Sequence, residues 1–479
     1  MERNGILAID QGSASTKAII VGHLGEVLAS GYSSVETTFP QPGWVQQDPE
    51  QIWDSVCRAT SEALANGTDI KIEAVAFSTQ RESLVVWNRK TGKALSPILT
   101  WQDRSSASLV SKYLNQLEKI RSISGLPLDP MFSALKAVRV LSELKVSTED
   151  ICVGTVDSWI LWKFGVGHVI EVGNASRTQL LDVSTGSWSQ ELLDIFEIDR
   201  KILPRVIDSD LIHKIPEGAL PGIKSGTPIC GVLGDSHAAL FAHAGWIPGR
   251  VKATYGTGSS VMTIGEIDQS NQGLCRTIAW SIQGKLIHGI EGNILSSGST
   301  LIWLSQILNE SVEDLAKVAL TSNELIHLVP AFNGLGAPWW DEKAVGIISG
   351  LSLGTTRASL ASAGLDSIAM QITDVLDELR KNGNKIESLR VDGGASQNEN
   401  LMQRQADFAQ VQVDVPVLKE LSGIGAANFA GLAIGLWSIV DLESREIITQ
   451  SFFPKMTDTK RVERRIGWQN AVSRARINS

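Results

Sequence analysis

Residues Gly5–Val21 read GILAIDQGSASTKAIIV, two apolar, β-rich runs on either side of a short polar turn. Alternating Ile and Ala before the turn, and Ala18-Ile19-Ile20-Val21 after it, predict the two strands of a hairpin. The turn opens on Asp10 and carries Gly12, Ser13, Ser15 and Thr16. Such a loop can offer backbone N–H groups and hydroxyls to an anion while a single carboxylate holds a cation beside it. A nucleotide phosphate with Mg²⁺ suits it; an ordinary Asp-Gly hairpin is the structural alternative.

Arg250–Gly265, RVKATYGTGSSVMTIG, repeats the layout, with Gly256, Thr257 and Gly258 in the turn. Neither loop has the Gly-Lys-Ser/Thr of a P-loop or a G-x-G-x-x-G opening a helix. Two similar hairpins half a chain apart imply a duplicated architecture, one phosphate-facing loop in each half, and a cleft between two related domains.

A chain of 479 residues exceeds one ordinary core. Strand–helix alternation throughout predicts an α/β protein, and the break Trp246-Ile247-Pro248-Gly249 places a boundary near Gly245, giving domains 1–244 and 245–479. The formal net charge of −9 argues against binding nucleic acid through its phosphates, and the basic cluster Lys460–Arg465 reads as a solvated face of the last helix. Cys57, Cys152, Cys230 and Cys275 lack metal-ligand spacing and read as buried thiols of a reducing compartment. The N-terminus enters a strand too early for a signal peptide. Gly423–Val440 approaches membrane-spanning length, but Asn428, Ser438 and its Gly and Ala content favour a tightly buried helix, read from Ser422 to Trp437. A cytoplasmic protein without membrane contact is expected.

Several polar groups fall where strands are predicted to end. Asp235 closes the apolar run Thr227–Leu233 and begins a helix, either as an N-cap or as a general base at the mouth of a cleft. Thr79-Gln80-Arg81-Glu82-Ser83 follows the strand Ile72–Ser78, where Arg81 and Glu82 can present a donor fork and an acceptor to one polyhydroxylated ligand or form a surface ion pair. Trp101 can lie against a ligand's C–H face or fill an interface. Asp392-Gly393-Gly394-Ala395-Ser396 lets a flat ring or a phosphate approach the backbone.

Together these segments resemble the FGGY carbohydrate kinases, and among them the glycerol kinase branch, nearly end to end. IDQGSAST, PQPGWVQQDPEQIW (Pro40–Trp53), STQRESLVVWNRKTGKAL, GTVDSWILWK (Gly154–Lys163), NASRT (Asn174–Thr178), GDSHAALF, TYGTGSS, PAFNGLGAPWWD (Pro330–Asp341), RVDGGAS and GIGAANFAGLA carry the resemblance. It implies two ribonuclease-H-like domains of the actin, hexokinase and Hsp70 ATPase superfamily, with an interdomain active-site cleft. It further implies ATP and Mg²⁺ as cofactors and a polyol or sugar as acceptor, with a homodimer as the common assembly. By the same resemblance Asp10 helps hold Mg²⁺, Lys17 lies near the phosphates, and Ser13 and Thr257 contact phosphoryl oxygens from the nucleotide-binding loops that also hold Gly12, Ser15, Gly256 and Gly258. Gly394, Ala395 and Asn398 lie near the adenosine, Arg81, Glu82 and Trp101 bind the polyol, and Asp235 takes the proton of the attacking hydroxyl.

Three departures bear on the acceptor: Met131 stands where glycerol kinases have Tyr, Ser236 where they have Gln, and Ser260 where they have Phe. The changes to Ser remove bulk, so a roomier pocket for a four- or five-carbon polyol is expected, with a ketose kinase as the alternative and a non-catalytic ATP-binding regulator as a remoter one. In the loop Lys224-Ser225-Gly226-Thr227-Pro228, Pro replaces an Arg through which some relatives bind fructose 1,6-bisphosphate, and no response to that effector is expected.

Overall fold

The opening hairpin forms as antiparallel strands Arg3–Gln11 and Ser15–Val21, in register from Ile6 opposite Val21 to Gln11 opposite Thr16. Its apolar residues are buried on both faces, since helix Pro49–Asn66 covers one side and helix Leu421–Ala433 packs on the same sheet. That explains the near-continuous apolar runs. The computed structural model describes residues 3–144, 148–268, 271–319, 324–445 and 448–476.

The chain divides into two compact units. The first comprises Met1–Ala244, Arg276–Gly289 and Glu420–Glu446; the second comprises Gly245–Cys275, Ile290–Lys419 and Ile447–Ser479. A six-stranded sheet in the first unit has the order His213–Lys214, Pro228–Gly234, Ile70–Thr79, Arg3–Gln11, Ser15–Val21, Val27–Ser34. Strands Arg3–Gln11, Ile70–Thr79 and Pro228–Gly234 run parallel, with Asp10 opposite Ser78, Gln11 opposite Thr79, and Gly234 also opposite Thr79. All three therefore end at one edge.

A seven-stranded sheet, most of it in the second unit, has the order Cys275–Ile282, Lys285–Ile294, Ser259–Ile264, Arg250–Tyr255, Ser388–Asp392, Gln412–Pro416, Thr449–Phe452. The hairpin Arg250–Tyr255 with Ser259–Ile264 is antiparallel, the next two strands are parallel to Arg250–Tyr255, and Thr449–Phe452 is antiparallel. This is the strand pattern of the first sheet repeated, so the two hairpins quoted above occupy equivalent places.

Glycines set the closest helix contacts. On helix Leu421–Ala433, a Cβ at Gly425 would lie 1.8 Å from the Ala238 carbonyl oxygen of helix Asp235–Ala242. The Gly/Ala-rich segment is thus a buried helix, and no helix among the described residues is long and apolar enough to cross a membrane. It ends at Ala433, short of the expected Trp437. Gly435 turns left-handed at φ 72°, Leu436 N–H bonds Gly431 O at 2.8 Å, and the Trp437 indole folds back to donate to Asn428 O at 2.8 Å. The apolar pattern continues past the helix because Trp437 returns to the same core.

Part of the basic cluster also differs from its expected place, while Lys460 is exposed as expected. Arg465 is buried, bonding Asp374 at 2.7 Å and Asp377 at 2.8 Å, and Arg464 pairs with Asp366. The last helix, Asp458–Ala475, docks through these charges as well as through Trp468. Of the four thiols, Cys152, Cys230 and Cys275 are buried and Cys57 is partly open.

Gly425→Ala is expected to force the two helices apart and destabilise the first unit by about 1–3 kcal/mol. A lower midpoint in denaturant unfolding would show it.

Candidate active site

Because the three parallel strands of the first unit stop together, the residues after them converge. Asp10 is the next-to-last residue of the first strand, Gln80–Ser83 follow the second, and Asp235 follows the third. Gly12 N–H bonds Ser15 O at 2.9 Å, closing the turn, and Lys17 stands opposite Asp10 across the hairpin. Burial raises the Asp10 carboxyl to about 6; Ser78 lowers it, the charge of Asp235 raises it, and Lys17 lowers it.

Asp235 is the first residue of its helix, and Gly234 takes the cap position expected of Asp235. Position 234 has no room for a side chain: a Cβ there would lie 2.5 Å from Arg81 Cδ. Arg81 occupies that space, and its Nε lies 3.4 Å from Asp235 Oδ1, which also accepts the Ser236 N–H at 2.6 Å. The neighbouring Glu82 is buried and accepts Arg177 Nε at 2.6 Å, with Arg177 itself wholly enclosed. The surface ion pair offered as the alternative for Arg81 and Glu82 is therefore absent, because each pairs inward with a different partner.

Trp101 is joined to the turn of the opening hairpin. Its indole N–H donates to Ser13 Oγ at 3.0 Å, and its backbone N–H donates to Ser83 Oγ at 3.1 Å. Behind them, Gln80 Nε2 donates to Gln11 Oε1 at 3.1 Å and Gln47 Oε1 at 2.9 Å, while Ser83 Oγ donates to Gln80 Oε1 at 2.8 Å. One buried amide network thus ties the hairpin turn to the Gln80–Ser83 loop. Met131 is buried, and Lys136 Nζ donates both to its carbonyl oxygen and to that of Glu82.

The second unit holds a separate pocket of about 900 Å³, lined by Tyr255, Gly256, Thr257, Gly298, Leu301, Ile302, Ala316, Gly394, Ala395 and Asn398, among others. The Gly256–Gly258 loop is tied down through its carbonyls: Gly298 N–H bonds Gly256 O at 2.9 Å, and Ser297 N–H bonds Thr257 O at 3.0 Å. Gly393 adopts φ 90° where a Cβ would lie 2.5 Å from Tyr255 O. Nothing lies within 4 Å of a Cβ built at Gly394, so its backbone faces open space. Ser260, by contrast, is in the second sheet with its hydroxyl bonded to the buried Glu291 at 3.1 Å.

The comparisons with known proteins agree along the whole chain. The N-terminal domain of the FGGY family of carbohydrate kinases matches residues 5–242, and its C-terminal domain matches residues 251–434. The chain belongs to the FGGY family of carbohydrate kinases. It is 40% identical to a glycerol kinase of Burkholderia pseudomallei, over 99% of each chain. It is 39% identical to an apulose kinase of Pectobacterium atrosepticum, over 98% of each. The structure of Plasmodium falciparum glycerol kinase with ADP superposes with a TM-score of 0.90 at 28% identity, covering 100% of this chain and 99% of that one.

This FGGY kinase is accordingly an ATP-dependent phosphotransferase of the actin and hexokinase-like superfamily, acting on a carbohydrate or polyol. Its first unit gathers Asp10, Gly12, Ser13, Ser15, Lys17, Arg81, Glu82, Trp101, Asp235 and Ser236 around one strand edge, with Met131 close by through Lys136. Gly256, Thr257, Gly394, Ala395 and Asn398 line the second unit's pocket. Sequence reasoning assigned nothing to Arg177, Lys136 or the glutamines. Arg177 lies within NASRT and Lys136 within LDPMFSALK, but no local spacing links a basic residue to a carboxylate far away in sequence.

The raised Asp10 carboxyl has a stability consequence. Its folded form holds the proton more tightly than the unfolded chain does, so the ligand-free protein loses stability as pH rises from about 3.8 through about 6. Asp10→Asn is expected to raise Tm at about pH 8, with the gain vanishing near pH 4, as read by thermal unfolding.

Proposed function

We propose that this kinase transfers the γ-phosphoryl group of ATP to a hydroxyl of a small polyol or sugar of up to five carbons, with Asp235 as the general base. The observation that carries this reading is the pairing of Arg81 with Asp235 beside the buried Glu82–Arg177 pair, at an edge where three strands end. Arg81 and Glu82 supply a donor and an acceptor for neighbouring hydroxyls, and Trp101 a flat face for carbon-bound hydrogens. Arg81 and the Ser236 N–H fix Asp235 Oδ1, so the carboxylate is oriented before the acceptor arrives. The attacking hydroxyl oxygen forms a bond to γ-phosphorus, its proton passes to Asp235, and the bond to the β–γ bridging oxygen breaks, leaving ADP.

The nucleotide's adenosine suits the pocket of the second unit, which Ala395 and Asn398 line and where Gly394 leaves the backbone facing open space. Asp10 fits a role in holding Mg²⁺: a divalent cation beside it offsets both the burial and the Asp235 charge that raise its proton affinity. No cluster of three or more metal-ligating side chains occurs among the described residues. The ion would then rely on one or two carboxylates, the nucleotide phosphates and water, as Mg²⁺ commonly does. When bound, it neutralises charge developing on the phosphoryl oxygens.

For the acceptor, the small Ser236 next to Asp235 and the unbranched Met131 favour a four- or five-carbon chain. A ketose is the second reading, supported by a relative of near-equal identity whose name gives apulose rather than glycerol.

ATP turnover against glycerol, dihydroxyacetone, tetritols, pentitols and ketopentoses tests these readings. A higher kcat/KM for a four- or five-carbon acceptor is expected; a preference for glycerol would restrict the enzyme to glycerol kinase chemistry. Asp235→Asn is expected to lower kcat by about 10²–10⁴-fold with little change in KM for ATP. Fructose 1,6-bisphosphate at cellular concentrations is expected to leave the rate unchanged.

A further inference from the structure

Glu82 has a left-handed backbone, φ 58°, in a three-residue turn closed by Ser83 N–H to Arg81 O at 2.7 Å. For a non-glycine residue this conformation costs about 1–3 kcal/mol and persists only where its surroundings over-determine it. Two donors do so on the backbone side, both from helix Ser133–Glu143: Ser133 Oγ bonds the Glu82 carbonyl oxygen at 3.0 Å, and Lys136 Nζ bonds the same oxygen at 3.2 Å. Arg177 holds the carboxylate side. Lys136 is wholly buried and also donates to the carbonyl of Met131.

We propose that Lys136, seconded by Ser133, is a positioning residue for the acceptor site: it holds the strained Glu82 turn and links it to the backbone of Met131. The inference rests on the reading of Glu82 as an acceptor-binding residue. Lys136 touches neither the carboxylate it positions nor the nucleotide pocket. Its effect therefore falls on how well two walls of the acceptor site are held at a fixed separation. A lysine is a costly way to fill a buried helix position, since burial, joined by the nearby charge of Arg104, pulls its ammonium down to about 7 against the opposing charges of Glu82, Asp103 and Asp129. An apolar side chain of similar length would fill the same volume without that cost. What the lysine adds is a donor shared by two carbonyls that are far apart in sequence.

The test compares Glu82→Gln, Lys136→Met and Ser133→Ala by steady-state kinetics with the acceptor that the wild type prefers. Lys136→Met is expected to raise acceptor KM by about tenfold or more, with KM for ATP and kcat within about threefold. Ser133→Ala, which removes only one of the two donors, is expected to raise acceptor KM by about two- to fivefold. Ser133→Ala decides the matter alone if Lys136→Met does not fold. If Glu82→Gln raises acceptor KM while Ser133→Ala and a folded Lys136→Met leave it unchanged, the positioning role is overturned and the reading of Glu82 stands. Parallel losses in both KM values and kcat would also overturn it, since they mark general disruption. An unchanged acceptor KM in Glu82→Gln would overturn the reading of Glu82 itself, and this inference with it.

Discussion

The parallel register that sets Asp10 beside Ser78, and Thr79 between Gln11 and Gly234, governs the rest of the first unit. Backbone hydrogen bonds fix where each strand stops, and the next residues leave the sheet at a common edge. A carboxylate, an Arg-Glu pair and a second carboxylate thereby meet, although they come from segments widely separated in sequence. A register slip of one residue in any of the three would reverse its side chains between faces. The site's geometry is in this sense a property of the ladder, and the side chains refine it. The second sheet repeats the arrangement with different consequences: its loops carry glycines in place of charges, and its strand edge opens into a pocket.

Much of this was legible in the sequence, for a physical reason. Strands buried on both faces advertise themselves as apolar runs, and their ends are marked by Asp, Gly, Ser and Thr. The hairpins at Gly5–Val21 and Arg250–Gly265 could be read directly, as could the loop after Ile70–Thr79. What could not be read depended on contacts remote in sequence. Arg465 looks like a surface charge because its partners, Asp374 and Asp377, lie on another helix. Trp437 looks helical because the core it fills is the same one the helix lines. Gly234, at the helix cap, owes its lack of a side chain to Arg81, which is remote in sequence and fills that space. Ser260 bonds Glu291 through its hydroxyl, a contact to a residue on another strand that its local pattern does not announce.

Polar burial in the first unit is concentrated where precision matters. The amides of Gln11, Gln47 and Gln80, the indole of Trp101 and the hydroxyls of Ser13 and Ser83 form one connected set. Such a set is expensive if any member lacks a partner, and rigid when each has one. A reaction that consists mainly of placing a hydroxyl against a phosphorus gains from rigidity of this kind.

Helix Leu421–Ala433 packs on strands Arg3–Gln11, Ser15–Val21, Ile70–Thr79 and Pro228–Gly234 and on helix Asp235–Ala242, all of which precede it by a long stretch of chain. On the ribosome, those strands emerge while the helix that covers them is still untranslated. One apolar face of the nascent sheet must then wait, exposed, until Leu421–Ala433 has been made. Vectorial synthesis therefore cannot complete this protein one half at a time. A truncated N-terminal half would present an open sheet face to whatever chaperone or neighbour meets it first.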